Sequence, residues 1–148
     1  MPLRCEIVTQ ERVAYSNDVD YVSLPGVEGV MGILPNHSAL LTALSFGEIM
    51  VRSHGKEEYF AVGGGFAEVQ PDHVIILADS AEHAEEIDID RAQKARQKAE
   101  QMMKEGVPAD PMHYQQIQIA LQKAQIRIDV AGKRQRRRAM SHLSSDHE

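Results

Sequence analysis

The sequence has a single cysteine and no apolar run long enough to cross a bilayer. Cys5 can therefore form no internal disulfide, and a thiol at the start of a predicted strand is more often a small core residue than a nucleophile. The first residues also lack the apolar segment of a secretory signal. We therefore expect a protein of the cytoplasmic compartment that reaches a membrane only through a partner.

Motifs for catalysis and metal binding are also missing. The four histidines of residues 1–86 lack the close paired spacing of a zinc or metalloprotease site: His37, His54, His73 and His83. Gly63–Gly65 is not followed by Lys-Ser/Thr or by a helical pattern, so a tight turn or bulge is favoured over a phosphate-binding loop. No serine, cysteine or carboxylate arrangement suggests a nucleophile with its base. We predict no catalytic site and no metal site.

Charge divides the 148 residues into two parts. Residues 1–86 carry 4 Lys and Arg against 14 Asp and Glu, a net charge of −10, whereas residues 87–148 carry 12 against 8, a net charge of +4. This asymmetry suggests that the second part binds an acidic surface or an anion. Solvated helix faces are the alternative explanation.

Short apolar runs fill the first part. Alternation and turn signals predict nine strands, at residues 3–9, 12–15, 19–24, 29–34, 40–44, 48–53, 57–62, 67–70 and 74–79. Turn-forming residues at 16–18, 45–47 and 63–65, among others, mark the predicted breaks. Many short strands without a helical pattern between them predict an all-β sandwich or barrel.

The pattern changes from strands to helices at Ile87–Ala92. Asp88 and Asp90 are both suitable N-cap residues, because a short carboxylate accepts hydrogen bonds from the free N–H groups of a first helical turn. We predict a helix from about Asp88 to Glu105, ended by Gly106–Pro108.

A second helix is predicted after that break. Asp110 and Pro111 have the pattern of an N-cap and a first helical residue, and the helical spacing continues to about Ala139. The predicted fold class is α+β with two domains. The parts are an all-β sandwich at residues 1–86, an antiparallel two-helix hairpin at residues 87–140, and a polar, disordered tail at residues 141–148.

Apolar residues mark two faces of the hairpin. The predicted seam between the helices comprises Ala92, Ala95, Ala99, Met102, Ile117, Leu121, Ala124, Ile128 and Ala131. Steps of about 100° per residue place a second stripe on the opposite face of the second helix, at Met112, Ile119, Ile126 and Val130. A two-helix hairpin cannot bury both faces of one helix. The stripe must therefore pack on the β domain or on another protein, and a hairpin that does both at different times is a switch.

Basic residues flank the predicted seam. Arg91 and Lys98 on the first helix, and Lys123 and Arg127 on the second, fall on one lateral face of an antiparallel pair. Counting back from the loop places Arg91 at about the level of Lys123 and Arg127. Such cations beside a capped helix start suit a polyphosphate, although solvated charge is the alternative.

A further basic run, residues 133–138, follows the seam. Such a run can bind nucleic acid, but no aromatic residue is interleaved and the rest of the protein is acidic. An acidic protein surface is an equally good partner.

A glycine-rich loop near residues 24–37 carries Val27, Val30 and Met31. Exposed apolar residues at a loop tip indicate a partner surface, with partial burial as the alternative.

Three motifs in this order resemble those of the epsilon subunit of bacterial rotary F-type ATP synthases. They are Gly32–His37, then Ala61–Phe66 with Glu68–Val69, and the junction Ile87-Asp88-x-x-Arg91-Ala92. The similarity extends to about Met140. The resemblance implies a non-catalytic central-stalk subunit of the proton-translocating enzyme, peripheral at the cytoplasmic face of the bacterial cell membrane.

In that family the sandwich contacts the gamma subunit and the c ring, and the hairpin either lies folded or extends into the catalytic head and blocks ATP hydrolysis. The resemblance assigns Val30 and Met31 to the c-ring side and His37 to the gamma side. It also implies that the basic run meets the catalytic beta subunits, beside alpha, in the extended state. The residues of that inhibitory contact are Lys133, Arg134, Arg136, Arg137 and Arg138.

The junction also resembles the family's ATP-binding signature, in which ATP favours the folded hairpin. No cofactor is required, and ATP is a regulatory ligand. The implied site comprises Glu82, Asp88, Arg91, Ala92, Lys98, Lys123 and Arg127. Lys98 and Lys123 stand where nucleotide-binding relatives usually have arginine, so the charge is kept but the bidentate fork is lost. The alternative function is an adaptor that binds nucleic acid through its basic run.

Overall fold

The computed structural model describes residues 2–106 and 110–145 and contains eight strands and two long helices within those residues. The chain forms two compact units, Met1–Ala84 and Glu85–Glu148. The strands are β1 (Leu3–Val8), β2 (Val13–Val19), β3 (Tyr21–Gly26), β4 (Gly29–Ile33), β5 (Leu40–Ser53), β6 (Lys56–Val69), β7 (His73–Ala78) and β8 (Ala81–His83). A 3-10 turn at Ala84–Glu86 precedes α1 (Ile89–Lys104) and α2 (Pro111–Ser145).

The first unit is a β-sandwich made from one continuous sheet. The strands follow the order β2-β1-β7-β6-β5-β3-β4, and β8 pairs with β6. The β1–β7 pair is parallel and the other pairs are antiparallel. The sheet folds over where β5 and β6 bend, and this bend divides it into two layers. One layer contains β1, β2, β7 and one half of each long strand. The other layer contains β3, β4, β8 and the other half of each long strand. The two layers enclose one apolar core.

Each of the long strands was predicted as two. The predicted breaks at residues 45–47 and 63–65 are wrong, because pairing continues on both sides of them, with Leu44 opposite Gly65 and Phe46 opposite Gly63. Gly64 and Gly65 have φ of +83° and +115°, and a Cβ at Gly65 would overlap the carbonyl oxygen of Leu77. The glycines therefore act as a bulge that bends β6 without ending it.

Two smaller strand predictions also differ from the structure. The predicted turn at residues 16–18 is wrong, because β2 runs through it and pairs these residues with Arg4, Cys5 and Glu6 of β1. The short strand β8 was not predicted. Its three residues pair with Phe60–Val62, and this non-local pairing is invisible in a three-residue pattern.

The core contains Cys5, as expected for a small apolar residue. Its side chain is fully buried, and burial raises the pKa of the thiol to about 12. The largest fully buried side chain is Phe60, whose ring packs edge-on against Tyr15. The sandwich thus has a complete core of its own.

The second unit is the predicted hairpin. Asp88 caps α1, and Gly106, with φ of +118°, follows its last turn. The start of α2 is also as predicted, because Asp110 Oδ1 accepts a hydrogen bond from the Met112 backbone N–H at 3.0 Å. Val107 and Pro108, which complete the predicted stop, lie outside the described residues.

The second helix is longer than predicted. It extends to Ser145 instead of about Ala139, because no proline follows Pro111 and no glycine follows Gly132. Residues 141–145 of the predicted disordered tail are therefore helical, and residues 146–148 lie outside the described part of the chain. With 35 residues against 16, α2 continues well past the start of α1.

The seam between the helices is narrow. Its fully or nearly fully buried residues are Ala92, Ala99, Ile117, Ala124 and Ala131. Ala95 was predicted in the seam but is exposed. Arg96 lies at the interface instead, and its Nη1 donates a hydrogen bond to Gln125 Oε1 on α2 at 3.4 Å.

Candidate functional site

The junction between strands and helices begins with a helix cap. Asp88 has an extended backbone, with φ of −86° and ψ of 105°, and its Oδ1 accepts a hydrogen bond from the Arg91 backbone N–H at 3.1 Å. Its carbonyl oxygen accepts the first helical bond, from the Ala92 backbone N–H. The Asp88 side chain therefore fixes the backbone from which Arg91 projects.

The next two residues have opposite environments. Arg91 is exposed, whereas Ala92 is completely buried in the seam. A larger side chain at position 92 would push the helices apart. The small side chain of Ala92 therefore lets the two helices approach closely, and Arg91 places a positive charge at the edge of the hairpin.

The Arg96–Gln125 hydrogen bond fixes the register of the two helices. Lys98 lies two residues after Arg96 and Lys123 two residues before Gln125, so these two lysines are level. By the same count Arg91 is level with residue 130 of α2, about 5 Å along the axis from Arg127 and about 10 Å from Lys123.

The predicted cation group is therefore arranged in two levels. We call Arg91, Lys98, Lys123 and Arg127 the cation face, since their helical positions put all four on one lateral side of the seam. Arg91 was expected at about the level of both Arg127 and Lys123. The register agrees for Arg127, but Lys123 is level with Lys98. Arg127 is half-buried and the other three are exposed.

Glu82, the remaining predicted residue, belongs to the first unit. It lies in β8, opposite Ala61 of β6, and is half-buried. The other six residues of the predicted ATP site belong to the second unit.

The predicted partner residues of the sandwich are accessible to different degrees. Val30 is 80% exposed in β4, at the edge of the sheet, and Met31 beside it is half-buried. His37 is half-buried after β4, and its Nδ1 lies 2.8 Å from the Ser38 carbonyl oxygen.

A second apolar surface was missed by the sequence analysis. Leu41, Phe66 and Leu77 are 71%, 57% and 57% exposed, on the outer side of the layer that contains β7. Phe66 lies directly opposite Leu77 in the β6–β7 register. We call these three residues the outer apolar face. Their alternation with buried residues gave the signal for a strand, but an apolar residue on the outer side is indistinguishable from a core residue in sequence.

The predicted basic run lies on α2, beyond the residues that face α1. Lys133, Arg136 and Arg137 are exposed and Arg134 is half-buried, while the side chain of Arg138 lies outside the described part. We call residues 133–145 the overhang. Met140 projects from it with 70% exposure.

The second apolar stripe of α2 is partly covered. Met112 and Ile119 are exposed, Ile126 is half-buried and Val130 is buried. Within residues 2–106 and 110–145, no group of three or more His, Cys, Asp or Glu could hold a metal ion. In the same residues no helix is long and apolar enough to cross a membrane.

A β-sandwich with an exposed apolar surface is thus followed by a helical hairpin with exposed apolar and cationic surfaces, an arrangement that suits a protein with binding surfaces for other chains. Comparisons with known proteins give the family. The chain matches the model for the ATP synthase delta/epsilon chain beta-sandwich domain over residues 2–84, and that for the delta/epsilon long alpha-helix domain over residues 85–132. The chain belongs to the ATP synthase delta/epsilon chain family, and it is a non-catalytic subunit, as predicted.

The individual relatives support this assignment. The chain is 47% identical over 137 residues to the ATP synthase epsilon chain of Herpetosiphon aurantiacus, covering 93% of this chain and 99% of that one. It is 48% identical over 136 residues to the epsilon chain of Dehalococcoides mccartyi, covering 90% and 95%. The resemblance to epsilon subunits predicted from the sequence is thereby confirmed.

Solved structures share the fold. A chain of the Euglena gracilis mitochondrial ATP synthase, in a structure of OSCP, F1 and the c-ring, aligns with a TM-score of 0.72 at 26% identity, over 84% of this chain and 78% of that chain. A chain from the central stalk and c-ring of Tetrahymena thermophila mitochondrial ATP synthase aligns with a TM-score of 0.63 at 12% identity, which shows the fold alone.

The cap at Asp88 gives a testable prediction. Asp88→Ala removes the acceptor for the Arg91 N–H and should lower the free energy of unfolding of the helical unit by about 1 kcal/mol. Asp90→Ala is the matched control, because Asp90 lies inside the first turn and makes no cap. Urea unfolding followed by far-ultraviolet circular dichroism measures both. Equal losses in the two variants would contradict the capping role.

Proposed function

We propose that the protein is a central-stalk subunit of a proton-translocating F-type ATP synthase, which couples the rotor to the catalytic head and inhibits ATP hydrolysis by extending its hairpin. One observation carries the inhibitory part. Apolar surface is exposed on α2 at Met112, Ile119 and Met140, and α1 leaves most of this surface uncovered. A second partner for that surface is what an extendable helix requires.

The sandwich is the part that seats the subunit on the rotor. The outer apolar face offers the kind of surface that a stable protein partner buries, and the gamma subunit is the proposed occupant. His37 is proposed to contact gamma as well. Val30 and Met31 are proposed to meet the c ring. A relative at 26% identity was solved with F1 and the c-ring, which supports these partners.

The hairpin is the part that reaches the catalytic head. In the extended state the overhang would lie against the alpha and beta subunits, with its cations against acidic residues. Lys133, Arg136 and Arg137 recur on one side of the helix and surround Met140, so this side combines positive charge with an apolar contact. The complex holds the subunit peripherally at the cytoplasmic face of the bacterial cell membrane.

ATP is the proposed ligand of the closed hairpin. The cation face carries charges from both helices, so a polyphosphate bound there would join α1 to α2 and favour closure. Arg91 and Arg127 can bind phosphate oxygens bidentately, whereas Lys98 and Lys123 act as point charges. Asp88 and Ala92 would position the first turn. The fold itself requires no cofactor.

The inhibitory function is tested by adding the subunit to a cognate catalytic head that lacks it. We expect the intact chain to suppress ATP hydrolysis. The variant Lys133→Ala, Arg136→Ala, Arg137→Ala should inhibit roughly tenfold less well, because three charge contacts are lost. Lys56→Ala, Lys94→Ala, Lys104→Ala removes the same charge elsewhere and should inhibit as the unmodified chain does. No suppression by the intact chain, or equal effects of the two variants, would refute the proposal.

ATP binding is tested separately by calorimetric titration of the isolated subunit. We expect ATP to bind, and Arg91→Ala to weaken binding by roughly tenfold or more, because a charge-assisted contact is lost. Lys98→Arg with Lys123→Arg should tighten binding by restoring the bidentate forks. Lys94→Ala, which changes charge on α1 outside the cation face, should have little effect. Absence of binding heat with the unmodified subunit would leave Asp88 and Arg91 with a structural role only.

A further inference from the structure

The side of the hairpin opposite the cation face carries a polar cluster. Arg96 Nη1 donates to Gln125 Oε1 across the seam at 3.4 Å. Each partner is also held on its own helix: Gln125 Nε2 donates to Asp129 Oδ1 at 2.9 Å, and Arg96 Nε lies 3.6 Å from Glu100 Oε1. We call Arg96, Glu100, Gln125 and Asp129 the polar cluster.

The two kinds of contact respond differently to helix separation. The Arg96–Glu100 and Gln125–Asp129 contacts join residues four apart on one helix, so they persist when the helices part. The Arg96–Gln125 contact is lost. Opening therefore leaves each of these polar groups with a partner, and of the three contacts in the cluster the Arg96–Gln125 hydrogen bond is the one specific to the closed state.

The surrounding seam makes that single contact important. Ala92 and Ala99 are the buried residues of α1, and a methyl group supplies little apolar area. Arg96 lies between them along the helix, where an apolar residue would be expected. Its stem covers the seam while its head contacts α2.

We propose that the Arg96–Gln125 contact is a closed-state latch, which sets the register of the hairpin and the ratio of its open and closed forms without binding any ligand. Because it lies on the opposite side of the seam from the cation face, it makes no contact with a nucleotide bound there. The effect of the latch on ATP hydrolysis rests on the proposed function, whereas its effect on the ratio of open and closed hairpins does not.

The test measures hairpin closure in the full chain. Spin labels at Gln93→Cys and Gln135→Cys, two exposed positions near the open end, report the separation of the helices. Cys5 stays unlabelled, because it is fully buried and its thiol has a pKa of about 12. The ratio of open to closed forms is read from the distance distribution over a temperature series.

We expect Arg96→Ala to raise the open-to-closed ratio about two- to fivefold relative to Lys94→Ala, which removes a charge from the same helix. Gln125→Ala should have a similar effect, and the double variant should be no more open than either single variant. Unchanged ratios, or single effects that add in the double variant, would overturn the proposal.

A variant that strengthens the latch distinguishes loss of this contact from general unfolding of the hairpin. Gln125→Glu with Asp129→Asn keeps the net charge but puts the carboxylate opposite Arg96, so the closed form should gain population. If it does not, the latch is refuted. Arg96→Ala should also weaken apparent ATP binding by no more than its effect on the open-to-closed ratio, and it should inhibit hydrolysis more strongly. If the distances shift as expected but inhibition is unchanged, the latch stands and the proposed inhibitory function fails.

Discussion

The hairpin depends on one constraint: its two helices meet along a seam whose buried residues are mainly alanine. Ala92, Ala99, Ala124 and Ala131 let the axes approach closely, but each buried methyl group contributes only about 1 kcal/mol. The closed pair is consequently stabilised by modest terms, namely the narrow seam, the Arg96–Gln125 contact and any ligand on the cation face. A pair held in this way can separate at low cost, as the proposed exchange of partners requires.

The sandwich has the opposite character. Its core is continuous across both layers, and the bulge in β6 depends on Gly64 and Gly65, which have positive φ, and at Gly65 a Cβ would overlap a backbone oxygen. A rigid support of this kind can keep Val30 and the outer apolar face in fixed places while the helical unit changes its contacts. The division of charge follows the same plan, with the acidic part forming the sandwich and the basic part forming the helices.

Local signals in the sequence predicted what depends on local chemistry. The caps at Asp88 and Asp110, the first residue Pro111 and the two helices were correct because side-chain acceptors and proline φ act within one turn. The glycines at 63–65 were predicted as a tight turn or a bulge. The bulge is correct, but the strand break drawn there is wrong, since the same residues serve either structure. The outer apolar face and the place of Arg96 in the seam depend on non-local packing, which periodicity alone does not contain.

Whether the helices must separate for inhibition is tested most directly by ATP hydrolysis assays with a hairpin that can be crosslinked reversibly across the seam. Ala99→Cys with Ala124→Cys places two thiols at buried, nearly level positions, and oxidation would join the helices covalently. Crosslinking is verified by electrophoretic mobility, and the reduced protein is the control. If inhibition requires the helices to separate, the reduced subunit should suppress ATP hydrolysis by the catalytic head and the oxidised subunit should not. Equal suppression by both forms would show that the helices need not separate and would contradict this requirement.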